Sequence, residues 1–222
     1  LFLNLNKNWN FGFSYKSPIW QERWSYNAST PTNSARYIGL QASLPEIISW
    51  GIAYKGFEKT LIDVDLRYFD YKNTALFGQS LRDGGLAWRS VFAVATGVQY
   101  QLSEKMTVRG GFPCNTNPIP APAPLFNVQA PALPQDALSL GASYHITSDI
   151  TASAAWVHGF RNAISGGVEQ LPGAMTKLDT QTDSLVFGLN IQFGRPRKAG
   201  SPQSPEEFVR PASLSSATEI PL

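Results

Sequence analysis

Three groups of residues have types and spacing that could carry chemistry. Ser139, Ser143 and His145 share one parity of an alternating segment, so a strand would put hydroxyl nucleophiles and an imidazole on one face. Hydrolysis would need that base within hydrogen-bond reach of the nucleophile and a third group to orient it. No acid is fixed nearby by spacing, so polar lining is the better reading and a lipase the poorest. Asp63, Asp65 and Arg67 form the second group, alternating with Ile62, Val64, Leu66 and Tyr68. Unpaired ions in a dry core cost on the order of several kcal/mol each, so this face must meet water. It is either a selectivity lining or a set of charges that pair with adjacent strands, and the second reading is favoured. The third group lies in 72–89, where Leu76, Phe77, Leu81 and Leu86 suit an apolar chain and Arg82 and Arg89 suit an anionic head. Cys114 is the single cysteine, which excludes an internal disulfide and a Cys-rich metal site, and no cofactor is expected.

The elements that position these groups are strands. Leu185, Phe187, Leu189, Ile191 and Phe193 oppose Ser184, Val186, Gly188, Asn190 and Gln192, and Trp9, Phe11, Phe13 and Tyr15 oppose Asn10, Gly12 and Ser14. Tight connections at 6–8, 56–59, 103–105 and 147–149 alternate with long ones at about 17–35, 72–89, 113–136 and 161–183. Short turns on one side and long loops on the other are the pattern of a transmembrane antiparallel β-barrel. No run reaches the roughly 18 apolar residues of a spanning helix, whereas alternating segments of about 9–11 residues suffice for a tilted strand. About nine strands are expected, near 1–5, 8–16, 36–55 (with a break near Pro45), 59–71, 88–102, 105–113, 135–146, 150–160 and 183–193.

In this frame the short turns, with Asn6, Phe57, Glu104 and Ser148, are periplasmic and the long loops face outside. Arg89 shares the inward parity of Val91, Ala93 and Ala95, while Trp88 is expected against lipid headgroups. The competing assignment gives Arg82 and Arg89 to lipopolysaccharide phosphates or to other loops. His158 has lipid-facing parity near the outer rim, where interfacial packing is its default role. Phe126, with Leu125, Val128 and Leu133 in the proline-rich segment 113–136, either gathers a greasy ligand or anchors the loop over the mouth; the second is preferred.

An odd strand count leaves a bare edge in lipid, which favours residues 1–193 as the C-terminal part of a larger barrel. Residues 194–222, rich in Pro, Ser and Glu, are expected to form a disordered tail. A net charge of +2 without a basic stripe offers nucleic acid no footprint.

Several local signatures resemble the FadL/TodX family of outer-membrane transporters for long-chain fatty acids and hydrocarbons. They are Leu44-Pro45-Glu46 leading to Trp50-Gly51-Ile52-Ala53-Tyr54; Gly97-Val98-Gln99-Tyr100 before Met106-Thr107-Val108-Arg109-Gly110-Gly111; and Asn117-Pro118-Ile119-Pro120. Leu133-Pro134-Gln135-Asp136 before Gly141-Ala142-Ser143-Tyr144, then Val157-His158-Gly159, and finally Phe187 through Phe193, continue the series. The resemblance implies a fourteen-stranded barrel with an N-terminal hatch, an apolar ligand entering through the outer loops and a sideways exit. It also implies that the last strand, ending on Phe193, is the signal read by the barrel-insertion machinery. Set against that pattern, residues 1–222 are expected to leave out the hatch and first strands and to add the tail.

The expected function is passive outer-membrane transport of hydrophobic molecules in a Gram-negative-type bacterium, without enzymatic activity. The expected partners are a hydrophobic small molecule, outer-membrane lipid and lipopolysaccharide, and the insertion machinery. The alternatives are a structural or adhesive barrel binding surface ligands through its loops and, last, a barrel lipase.

Overall fold

The computed structural model describes residues 1–29, 34–81, 84–121, 124–128, 135–167 and 173–193. Its strands in chain order are β1 (Phe2–Asn4), β2 (Trp9–Lys16), β3 (Ile19–Trp20), β4 (Trp24–Ser29), β5 (Ala35–Leu40), β6 (Ser43–Leu44) and β7 (Ile47–Tyr54). They continue as β8 (Thr60–Phe69), β9 (Val91–Gln101), β10 (Met106–Asn115), β11 (Ala137–His145), β12 (Ile150–Gly167) and β13 (Met175–Ile191). Nine of these form one sheet in the order β1-β2-β7-β8-β9-β10-β11-β12-β13, and every pair is antiparallel. The sheet does not close; β1 and β13 are its edges. No helix among the described residues is long and apolar enough to cross a membrane, which says nothing of crossing by strands.

The tight turns are fixed by their own side chains. Asn6 Oδ1 accepts from the Asn8 and Trp9 N–H groups, Ser103 Oγ from Lys105 and Met106, and Thr147 Oγ1 from Asp149 and Ile150. These short polar side chains mimic a backbone turn, which is why they stand where the apolar alternation stops. Lys59 closes the fourth turn in the left-handed region, at φ 59°.

Register carries one parity across the whole sheet. Trp9, Tyr54, Ile62, Val98, Gly110, Leu140, Trp156 and Leu185 are successive cross-strand partners and form an almost wholly apolar row. On the opposite face Asn4, Asn10, Ala53, Asp63, Gly97, Gly111, Ser139, Val157 and Ser184 are partners across all nine strands. The first face suits hydrocarbon and the second a wet lumen, because a single slip of register would exchange the two sets.

Three expectations need correction. The expected break near Pro45 is present, but the part before it leaves the large sheet and pairs with strands in the expected loop at 17–35: β5 with β4 and β6 with β3, so that only β7 joins the nine. Pro45, which lacks an N–H, stands at the break between β6 and β7. The long loop at 161–183 is mostly strand, since β12 runs to Gly167 and β13 begins at Met175. Its outward positions there include Lys177, Asp179, Ser165 and Gln181, so apolar alternation ends although the backbone ladder continues. Likewise β10 extends beyond 113 to Asn115.

A bulge marks that change in β12. Phe160 and Arg161 stand between the partnered Gly159 and Asn162, opposite only Gln181, and the facing of later β12 residues reverses. Below the bulge Trp156 and His158 are outward; above it Ile164 pairs with Leu178 on the inner side.

By contact the chain divides into Leu1–Ile191 and Gln192–Leu222. Of the second unit, Gln192 and Phe193 are described, and both are exposed. The expected tail, 194–222, lies outside the described residues.

Candidate functional site: outer mouth and luminal wall

The connection from β8 to β9 folds back on itself. Leu86 N–H donates to Leu76 O at 2.7 Å, Ala87 N–H to Gln79 O at 2.9 Å and Trp88 N–H to Phe77 O at 2.6 Å. Leu76 and Ala87, at φ 70° and 56°, hold the left-handed conformation that a Cβ disfavours. This closed segment packs Tyr71, Phe77, Leu81 and Leu86 around buried Trp88, together with Ile119 of the next loop and Ile164 and Leu178 of the sheet. Trp88 lies 5.0 Å from both the Tyr71 and Phe77 rings, and its Nε1–H donates to Asn127 Oδ1. Asn127 Nδ2 in turn donates to Leu86 O at 3.3 Å, tying the two loops together. The face of the β12–β13 extension that carries Ile164 and Leu178 is therefore the floor of an apolar cluster at the long-loop end of the sheet.

Of the residues expected to meet a ligand, Phe77, Leu81 and Leu86 are in this cluster and Leu76 stands at its left-handed corner. Arg89 is exposed, its N–H donates to Pro118 O at 2.8 Å, and no side-chain partner appears among the described residues. Arg82 and the Phe126 side chain lie outside the described residues. The expectation for Trp88 is overturned: at 6% exposure it is buried under the loops, not presented to lipid. Parity could not place it because β9 begins only at Val91. Ile119, Ile164 and Leu178 were missed by sequence reading, Ile164 and Leu178 because the segment 161–183 reads as a loop and not as strand.

Asp63, Asp65 and Arg67 share the face of β8 opposite the apolar row, and none forms an ion pair among the described residues. Glycine makes room for both carboxylates. A Cβ on Gly97 would sit 2.6 Å from Asp63 Oδ1, and one on Gly51 would collide with Asp65 Oδ1. The two acids thus lie along the wall in opposite directions, toward β9 and β7. Ser143 and His145 do not pair: Ser143 Oγ is 2.8 Å from Ser153 Oγ and accepts from Arg109 Nη1 at 2.7 Å, while His145 Nδ1 is 2.8 Å from Thr151 Oγ1. The imidazole is thus engaged by the Thr151 hydroxyl and not by Ser143, so the expected Ser143–His145 pair does not form.

At the outward rim His158 Nδ1 lies 2.9 Å from Asp183 Oδ1, which also accepts from Trp156 Nε1 at 3.1 Å. Higher on the same face Arg161 Nε donates to Asp179 at 2.8 Å, and Lys177 Nζ is 3.5 Å from the same carboxylate. Apolar residues, then an aromatic and His level, then charges follow one another up this face, as the bilayer boundary requires.

The sequence profile described as Outer membrane protein transport protein (OMPP1/FadL/TodX) matches residues 1–194. The chain belongs to this family. Membership places it in the bacterial outer membrane and in a family of transporters, which is not enzymatic. The sheet also matches solved barrels: the P. putida toluene transporter TodX (TM-score 0.57, 12% identity, 87% of this chain and 48% of that one). It likewise matches a Pseudomonas aeruginosa FadL homologue (0.56, 16%, 85% and 49%) and the CymD monoaromatic hydrocarbon channel (0.52, 11%, 85% and 48%). At such identities the likeness shows the fold alone. The chain spans about half the length of these FadL/TodX structures. No curated protein matches it.

Proposed function

We propose that the full-length protein conducts hydrophobic molecules, such as long-chain fatty acids or aromatic hydrocarbons, across the outer membrane. The observation that carries this reading is the apolar cluster around Trp88, set at the mouth of a wall whose inner face is small and polar. A greasy solute gains roughly 0.8 kcal/mol per methylene by leaving water for such a cluster. Phe77, Leu81, Leu86 and Phe126 receive the chain, and the exposed Arg89, with Arg82, receives an anionic head. TodX is a toluene transporter and CymD a monoaromatic hydrocarbon channel by description, which supports a hydrocarbon cargo. Lipopolysaccharide contacts the outward Arg161 and Lys177 level, and the insertion machinery reads the last strand through Phe193.

The test is uptake of labelled toluene and oleate by cells with and without the full-length protein. Uptake of both should rise while that of a polar sugar of similar size stays flat. No rise for either hydrophobic solute would overturn the reading.

A further inference from the structure

One luminal cation is built differently from the rest. Arg109, on β10, donates from Nε to Gln99 Oε1 at 2.7 Å and from Nη1 to Ser143 Oγ at 2.7 Å. Both clamps are neutral, and no carboxylate pairs with this guanidinium among the described residues. Of its five N–H donors two are engaged, so three remain. A planar fork held from two sides is preorganised for bidentate capture of a carboxylate. Arg67, the other luminal arginine of the sheet, has no such clamp among the described residues.

The surroundings extend the site. Arg109 pairs with Gly141, Gly141 with Ala155, and Ala155 with Val186, so one row runs from the cation over small apolar residues to β13. At about 4.8 Å per strand that strip is roughly 14 Å wide. From β11 to β13 the luminal positions in the sheet below the bulge carry no Asp, Glu, Lys or Arg. Of the acids of β8, Asp65 leans onto Gly51 of β7, away from Arg109, and Asp63 leans onto Gly97 of β9, on the side of Arg109 but without an ion pair to it among the described residues. We infer that Arg109 is a carboxylate station on the luminal wall, with the hydrocarbon chain of a fatty acid laid across Gly141, Ala155 and Val186. The inference rests on the proposed transport of hydrophobic molecules and adds a site within the lumen, distinct from Arg89 at the mouth.

The experiment measures binding of dodecanoate and of dodecanol to the purified full-length protein, with heat-modifiable gel migration confirming folding. Arg109→Gln should weaken dodecanoate about tenfold or more, the worth of a hydrogen bond to a charged group, and leave dodecanol within about twofold. Ser143→Ala, which frees one side of the fork, should weaken dodecanoate by about threefold. It serves as the decisive variant if Arg109→Gln does not fold, and unchanged dodecanoate binding would then overturn the station. Equal loss for both ligands, or no loss for either, would overturn it while leaving the transport reading intact. Failure of the wild type to bind either ligand would remove both.

Discussion

Replacing Trp88 with Ala separates the outer mouth from the barrel wall. Trp88 is 94% buried by its 6% exposure, touches the Tyr71 and Phe77 rings at 5.0 Å, and anchors Asn127 of the neighbouring loop. Truncation of such a ring removes about 3–5 kcal/mol. That loss falls on the loops, because β8, β9 and β10 are joined by uninterrupted ladders that do not involve residue 88. Among the described residues the cluster has only Ile119 and Leu178 as further buried members, so a deficit of this size is enough to open the segment 71–90 locally while the barrel survives. The assay is protease added to intact cells expressing the full-length variant, read by the sites cut, alongside gel migration of the extracted protein. Cleavage within 71–90 should accelerate by at least about tenfold, with barrel migration unchanged. Unchanged cleavage would show that the cluster does not hold the loops. Loss of the barrel itself would show that the sheet depends on the cluster, and either result refutes the reasoning.

Leu189→Arg, on the row facing hydrocarbon, should lower barrel stability by about 2–4 kcal/mol, whereas Asn190→Arg on the inner face should be far milder; refolding yields in vesicles compare them. Equal yields would contradict the parity. In a Cys114→Ser background, single cysteines at Gln79 should react with an impermeant label on intact cells and those at Ser148 should not; the reverse pattern would invert the topology. Partial burial raises the Asp70 pKa, but donation from Asn73, Ser90 and Tyr68 and the charge of Lys72 outweigh it, so the carboxyl is held below its ordinary value. The stability it lends the start of the 71–90 loop is thus full above the ordinary carboxylate pKa and fades as pH falls through the lowered one. Hydrogen exchange at 71–74 should accelerate only in that acid window, and Asp70→Asn should abolish the dependence. At Ala87, whose φ is 56°, glycine should stabilise the closed loop by about 0.5–1 kcal/mol, provided relief of the left-handed strain exceeds the added freedom of the opened chain; slower loop proteolysis would report it.

Strand existence, facing and turn position were legible in the sequence because each has a local cause. Alternation of period two assigns Asp63, Asp65 and Arg67 to one face without knowledge of any neighbour, and Asn6, Ser103 and Thr147 close their turns with their own side chains. The family motifs were likewise local strings. What lay beyond the sequence depends on contacts between distant segments. Trp88 was assigned to lipid by parity, yet its burial arises from Ile119, Ile164 and Leu178, which are brought to it by loop closure and by the extension of β12 and β13. That extension escaped notice because above the membrane a strand no longer needs an apolar face, only its ladder. A single extra residue at Phe160–Arg161 then decides which side chains of β12 look inward. The same holds for Arg109: its residue type and parity are in the sequence, but the clamp by Gln99 and Ser143 exists only once three strands settle into register. Local patterning fixes the face of each residue, and long-range pairing decides its neighbours.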